Sequence, residues 1–246
     1  MESFVNQPFL EKRRKYAQWG SYVGFGALFA GLLLTTRYPL WAYVCLLVGL
    51  IGASFGSYMA NRYVQEPRAD QVFTEAMESL DKRYALYHYY LPSNHVVASH
   101  YGLTVLLPRG QAGLVTYEDG RWRHKAGWRK ILQLFGEPNV GKPGQELERE
   151  IEWVQEWIDE IFVEEKIPVT GVVVFTNPNV ELYAQDAPTP VITADDLARF
   201  LKEDLKGGIT LRSAVQRELR RVLEQVMAET DGTATNEAET DEAEDA

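Results

Sequence analysis

Residues Ala98–Gly113 read ASHYGLTVLLPRGQAG. A polar turn, His100-Tyr101-Gly102, leads into the apolar run Leu103–Leu107, which ends in a basic, glycine-bearing stretch at Arg109 and Gly110. The segment just before the turn is HVVAS, so two β-prone runs joined by HYG predict an antiparallel hairpin. Upstream, Tyr84–Leu91 (YALYHYYL) is aromatic and strand-like. Before it, Asp70–Lys82 sets Val72, Phe73, Ala76, Met77 and Leu80 at helical spacing. Downstream, Gly113–Tyr117 (GLVTY) predicts a further strand, turned through Glu118-Asp119-Gly120 into Arg121–Lys125.

The next segment is helical from Gly144 to Phe162. Leu147, Ile151, Val154, Ile158 and Ile161 step by four and three to make one apolar stripe, and glutamates fill much of the other face. The continuous run after Gly171, GVVVF, suits a strand buried on both faces. Thr193 is placed to cap a helix through Leu205, with Asp195 and Asp196 favourable in its first turn. Ser213 and Gln216 have capping-box spacing for a last helix to Met227, striped by Val215, Leu219, Val222 and Val226. Helix, three or four antiparallel strands, helix, buried strand, helix: this order defines an α/β domain, a mixed sheet flanked by helices.

The N-terminal region is of another kind. Tyr16–Thr36 and Tyr38–Asn61 contain no charged residue, and Arg37 alone separates them. About 20 apolar residues suffice to cross a bilayer as a helix, and Pro39 suits the first turn of the second one. Residues 16–62 are therefore expected to form a transmembrane hairpin; a cleaved leader would have a shorter apolar run and no second span. Lys12, Arg13, Arg14 and Lys15 precede the hairpin and Arg62 and Arg68 follow it. That bias predicts a two-span protein of the cell membrane with both termini cytoplasmic, residues 1–15 forming a basic cytoplasmic segment. Trp19, Tyr22, Trp41 and Tyr43 fall near span ends, as interfacial aromatics do. Gly20 and Gly24, Gly49 and Ala53, and Gly52 and Gly56 are each four apart, a spacing that lets helices approach closely. It serves packing within the hairpin or an oligomer through these faces, and the first is the simpler reading. Cys45 is the only cysteine, which excludes an internal disulfide or a cysteine-based metal site.

The net charge of −10 is unevenly spread. From Glu229 onward the chain has eight acids and no bases, which leaves −2 for the rest. With no aromatics and no apolar period, residues 229–246 are expected to be a disordered, solubilising acidic tail. The α/β domain occupies residues 64–205, and residues 209–228 form the C-terminal helix.

In this order of segments the chain resembles the NERD, or nuclease-related, domain family, a variant of the restriction-endonuclease-like fold. LDKRYALYHYYLP is similar to the family's first strand after its first helix. NHVVASHYGLTVLLPRGQAGLVTYEDGRW resembles the hairpin that holds its active site, GVVVFTNPNVEL its late core strand, and VITADDLARFL its closing helix. The likeness spans residues 70–205, and membrane-anchored members with an N-terminal hairpin fit the family. It implies phosphodiester cleavage with carboxylate-held Mg²⁺, which demands hard oxygen ligands, and a lysine beside the attacking water.

At those positions this chain departs from the pattern. The family's Asp before the second strand falls on Asn94, followed by His95, and its Glu-x-Lys falls on Leu107-Pro108-Arg109. Asn94 keeps an oxygen without the charge, Leu107 has nothing to ligate with, and Arg109 is too weak an acid to serve as a base. Glu75 and Glu78 on the first helix, and Glu118 and Asp119 on the turn after GLVTY, are the acids that could replace the family's carboxylates, Glu75 first among them, and surface solvation explains all four more simply. The resemblance thus implies a catalytically degenerate domain acting as a binding or interaction module, with no cofactor. The alternative is a weak or unconventional nuclease using Mg²⁺ on nucleic acid near the membrane. The four histidines, His88, His95, His100 and His124, match no metal-ligand spacing and read as polar decoration of strands and turns. The last motif is GRWRHKAGWRK, in which Arg121, Arg123, Lys125, Arg129 and Lys130 surround Trp122 and Trp128. Beside a bilayer this composition suits anionic lipid headgroups and, less well, nucleic acid. The simplest reading is a solvated connection anchored by its tryptophans.

Overall fold

A computed structural model of the chain describes residues 1–125, 140–203 and 210–244, with residues 234–244 as backbone only. It divides into two compact units, Gln7–Arg68 and Met1–Asn6 with Ala69–Ala246.

The first unit is a helical hairpin of α1 (Gln7–Leu34) and α2 (Pro39–Tyr63). Both helices are long and apolar enough to cross a membrane. Pro39 sits in the first turn of α2, where its missing N–H costs nothing. The small residues form the seam between the two helices. A Cβ added to Gly24 would fall 2.3 Å from Ala53 N, one on Gly56 would fall 2.6 Å from Ser21 N, and one on Gly52 would fall 3.0 Å from Gly24 Cα. The glycine faces are thus occupied within the hairpin. Trp19, Tyr22, Trp41 and Tyr43 are all exposed. Helix α1 starts well before the uncharged run, so Lys12–Lys15 lie on its first turns.

The expected basic segment 1–15 begins with a strand that its sequence does not announce. Glu2–Val5 is a strand, β1, and it pairs in parallel with β2 (Ala85–His88) in the second unit. Four half-buried residues show no period, so the strand is defined only by its partner. The six-stranded sheet runs β1-β2-β3-β4-β7-β9, where β3 is His95–Ser99, β4 Gly102–Arg109, β7 Val169–Phe175 and β9 Val191–Thr193. Strands β2, β3 and β4 are antiparallel, and β4, β7 and β9 are parallel. A three-stranded sheet, β6-β5-β8, joins the hairpin of β5 (Gly113–Glu118) and β6 (Arg121–Lys125) to β8 (Val180–Tyr183). Asp119 at φ 52° and Gly120 at φ 73° make the tight hairpin turn, both residues left-handed.

Helices cover both faces of the large sheet. On one face Tyr87, Val96, Leu103, Val105, Leu107, Val173 and Phe175 pack with Leu147, Val154 and Ile158 of α4 (Pro143–Ile161) and with Leu219 and Leu223 of α6 (Ser213–Glu244). On the other, Leu86, Val97, Leu106, Val172 and Val174 pack with Phe73 of α3 (Ala69–Ala76), with Met77, and with Leu197 and Leu201 of α5 (Leu197–Glu203). Alternate residues of β7 feed the two cores, which is why its sequence is apolar throughout. Gln155 fastens α4 to the next strand, donating to Ile167 O at 3.1 Å and accepting from Val169 N at 3.2 Å.

Three boundary expectations change. Thr193 caps no backbone amide; its hydroxyl donates to the Asp196 carboxylate at 3.1 Å, within a 3₁₀ turn that precedes α5. Ser213 is the first residue of α6, and Gln216 Nε2 donates to Leu211 O at 2.6 Å, so the capping box is not formed. Helix α6 continues to Glu244 through the residues expected to be disordered. Extending a packed helix costs far less than starting one, and the added residues are rich in alanine and glutamate. Tyr90 fixes the beginning of this extension, donating to the Asp231 carboxylate at 3.2 Å.

Candidate functional site

Strand alternation sorts the site residues. In the β3–β4 register Val96 faces Val105 and Ser99 faces Gly102. Tyr89 N bonds Asn94 O at 2.7 Å, continuing the β2–β3 ladder to that residue. Period-two geometry puts Leu107 and Arg109 on the α4 side of the sheet, and Asn94 lies just before β3.

Leu107 is 2% exposed and belongs to the core. Arg109 Nη2 donates to Glu146 Oε2 at 2.6 Å and Nη1 donates to Pro108 O at 3.3 Å. The arginine side chain is 14% exposed and the glutamate 38%. Arg109 Nε is buried and has no hydrogen-bond partner among the described residues. Strand β4 runs straight through Pro108, and Arg109 O accepts from Thr176 N at 2.8 Å. One turn after Glu146, Glu150 Oε2 accepts from Ser93 Oγ at 2.6 Å. Two α4 carboxylates one turn apart are thus each engaged by a neighbouring side chain, Glu146 at the end of β4 and Glu150 beside Ser93.

Glu75 is not one of them. It is exposed on α3, and α3 covers the opposite face of the sheet. His95 also points towards α3, where its Nδ1 lies 2.8 Å from His88 Nδ1, and its ring meets Phe73 edge-on at 5.2 Å. At that distance one nitrogen carries the proton that the other accepts. His88 Nε2 lies 3.3 Å from Thr74 Oγ1. The expectation of decorative histidines is therefore corrected for these two, which are buried and joined. His124 Nε2 donates to Ala112 O at 2.8 Å. His100 stacks on Tyr101 at 3.9 Å, and burial, with help from the Arg83 charge, lowers its pKa.

Among the described residues no group of three or more His, Cys, Asp or Glu side chains is placed to hold a metal ion. At the end of β4 Leu107 presents only buried hydrocarbon, and the carboxylate of Glu146 is paired with Arg109.

Strand β6 carries the described part of the basic motif. Arg121, Arg123 and Lys125 are exposed and alternate with half-buried Trp122 and His124. Trp122 packs on Tyr117 at 5.1 Å and on Phe175 at 6.5 Å, so its ring anchors the hairpin and is not offered for stacking. Arg123 has acidic neighbours at Glu118, 3.5 Å, and Asp119, 3.6 Å. Trp128, Arg129 and Lys130 lie outside the described residues.

The residue that sequence reasoning missed is Glu146. Its signal was its place in the first turn of α4, with Glu150 on the same flank one turn later. No protein-family model matches the chain, and neither a curated protein nor a solved structure matches it.

Proposed function

We propose that this chain is a membrane-tethered, cytoplasm-facing binding module whose nuclease-related, restriction-endonuclease-like domain has lost metal-dependent cleavage. The observation that carries the reading is the end of β4, where buried Leu107 and the Arg109–Glu146 pair stand in place of anionic metal ligands. The sequential order α3, β2, β3, β4, α4, β7, α5 supports the fold assignment, since it follows the order of the segments that carry the resemblance.

Two features support the tether. Strand β1 precedes the hairpin and β2 follows it, and the two pair in one sheet, which fits an even number of crossings with both flanks on one side. The basic residues on those flanks favour the cytoplasmic side. Arg121, Arg123 and Lys125 offer the same side of the membrane a small cationic face, suited to anionic lipid headgroups.

The test is metal binding. The full chain in zwitterionic micelles is titrated with Mn²⁺, followed by the paramagnetic signal of the free ion. No saturable site is expected, and Asn94→Asp with Leu107→Glu and Arg109→Lys creates one. A site in the unsubstituted chain that Glu146→Gln removes contradicts the reading and favours a nuclease.

A further inference from the structure

The sheet unit shows few large apolar side chains to solvent. Among its described residues these are Trp153, Ile161, Val163 and Tyr183, and the first three belong to the second half of α4 and its exit. Trp153 is 52% exposed and Val163 85%. Half-buried Trp157 stands between Trp153 and Ile161, so these three follow one another at four-residue steps and form a ridge along the flank of the helix. One position earlier, Glu148, Glu152, Glu156 and Glu160 repeat the same step, and all four are exposed. This second row lies about 100° round the helix from the first. None of the four glutamates makes an ion pair with a described residue.

The glutamate row does not face the sheet, and of the ridge only half-buried Trp157 packs against the core. Leu147, Val154 and Ile158 already fill that side of α4. Like charges four residues apart repel along a helix, and exposed indole and aliphatic surface is unfavourable in water. Both features weaken α4 as an isolated element, and both are relieved by a single kind of partner.

We propose that this flank of α4 docks a basic amphipathic helix of a partner protein. Apolar side chains of the partner cover Trp153, Trp157 and Ile161, and its Lys and Arg side chains lie along Glu148, Glu152, Glu156 and Glu160. Recognition of an amphipathic helix uses anchors at this spacing. Charge selects the occupant. An anionic bilayer surface is repelled by the glutamate row, and a second copy docked through the same face sets two such rows against each other. The proposal goes beyond the loss of cleavage and holds whether or not the end of β4 binds metal.

The test uses the full chain in zwitterionic-lipid nanodiscs, with empty discs as the blank. The probe is a fluorescent Leu/Lys helix of about 18 residues, five turns, with Leu at four- and three-residue steps. Its counterpart has every Lys replaced by Glu. The Lys probe is expected to bind, to weaken as salt is raised, and to lose at least tenfold in affinity to Trp153→Ala with Ile161→Ser. The same loss is expected with Glu152→Gln, Glu156→Gln and Glu160→Gln. These side chains are exposed, so the thermal unfolding of the variants stays that of the parent. No binding of the Lys probe, equal binding of the two probes, or unchanged affinity in both variants overturns the proposal. So does a Trp153 emission, taken as the difference from Trp153→Phe, that is shielded from acrylamide before any probe is added, since the ridge is then covered by the chain itself.

Discussion

Arg109 at the end of β4 and Glu146 in the first turn of α4 are joined by a 2.6 Å ion pair across 37 residues of sequence. The pair ties the strand end to the helix that covers it and matches the charge of the largely buried guanidinium. Glu146→Gln leaves a largely buried guanidinium facing a neutral amide. It is expected to destabilise the sheet unit by about 1–3 kcal/mol. Arg109→Met with Glu146→Leu is expected to cost less than the two single changes together, because neither charge is left without its partner. Urea unfolding of the four proteins in one detergent checks this; additive losses contradict the coupling.

The hairpin seam gives a contrast between two glycines. Gly24→Ala drives a methyl group to 2.3 Å from the Ala53 backbone nitrogen, whereas a Cβ at Gly26 has nothing within 4 Å. Gly24→Ala is expected to lower the melting temperature of the hairpin measurably, and Gly26→Ala to leave it within about 0.5 kcal/mol of the parent. Equal effects contradict the seam.

Gly102 begins β4 at φ 123°, and an added Cβ would lie 2.2 Å from Pro168 O, a backbone atom that bonds Leu103 N at 3.0 Å. Gly102→Ala is therefore expected to cost about 2–4 kcal/mol, by backbone strain and loss of the β4–β7 approach. Chemical denaturation measures it, and a cost under about 1 kcal/mol contradicts this geometry.

Tyr90 connects the sheet unit to the acidic extension of α6. Burial, then the charge of Asp231 and the hydrogen bond it accepts, raise the phenol from 10.0 to about 12. A folded pKa above the unfolded one means that this contribution is complete below pH 10 and is lost as pH climbs towards 12. Absorbance at the phenolate band should therefore show a late-titrating tyrosine that disappears in Tyr90→Phe and moves down in Asp231→Asn. Tyr87, raised to about 12 chiefly by burial, remains in both variants. An unmoved titration in Asp231→Asn contradicts the contact.

The sequence is legible where one element carries its own signal. The stripe of α4, the β3–β4 hairpin around HYG, the doubly buried β7 and the membrane-length helices all follow from periodicity or composition within a single segment. What fails are features that need a distant partner. Strand β1 is four residues whose pairing lies 83 positions away at Ala85. Strand β8 carries no signal of its own, because the turn at Asn177 sends it to another sheet, which composition does not record. The pairing of His95 with His88 depends on the β2–β3 register. Glu146 is one of 35 acids, and nothing short of the fold singles it out for Arg109. Composition in the acidic tail reports solvation, and the helix to Glu244 has no apolar period there to announce it.

Topology provides a separate check. With β1 and β2 neighbours in one sheet, a tag before Met1 and a tag after Ala246 should be reached from the same side of the membrane, the cytoplasmic one, and a tag at Arg37 from the other. Protease protection in sealed vesicles reads all three. Opposite sides for the two terminal tags contradict both the hairpin and the sheet.

The most direct test of the central claim is cleavage itself. The full chain in micelles is incubated with labelled single- and double-stranded oligonucleotides and Mg²⁺ or Mn²⁺, beside Arg109→Ala and Glu146→Gln. On the proposed reading Leu107 stands at one of the family's ligand positions and Arg109 pairs with Glu146, so the site offers no anionic ligands for a metal that would activate water or offset charge on the phosphoryl group. The account predicts no metal-dependent turnover in any of the three proteins. Turnover that requires the metal and vanishes in Arg109→Ala or Glu146→Gln contradicts it.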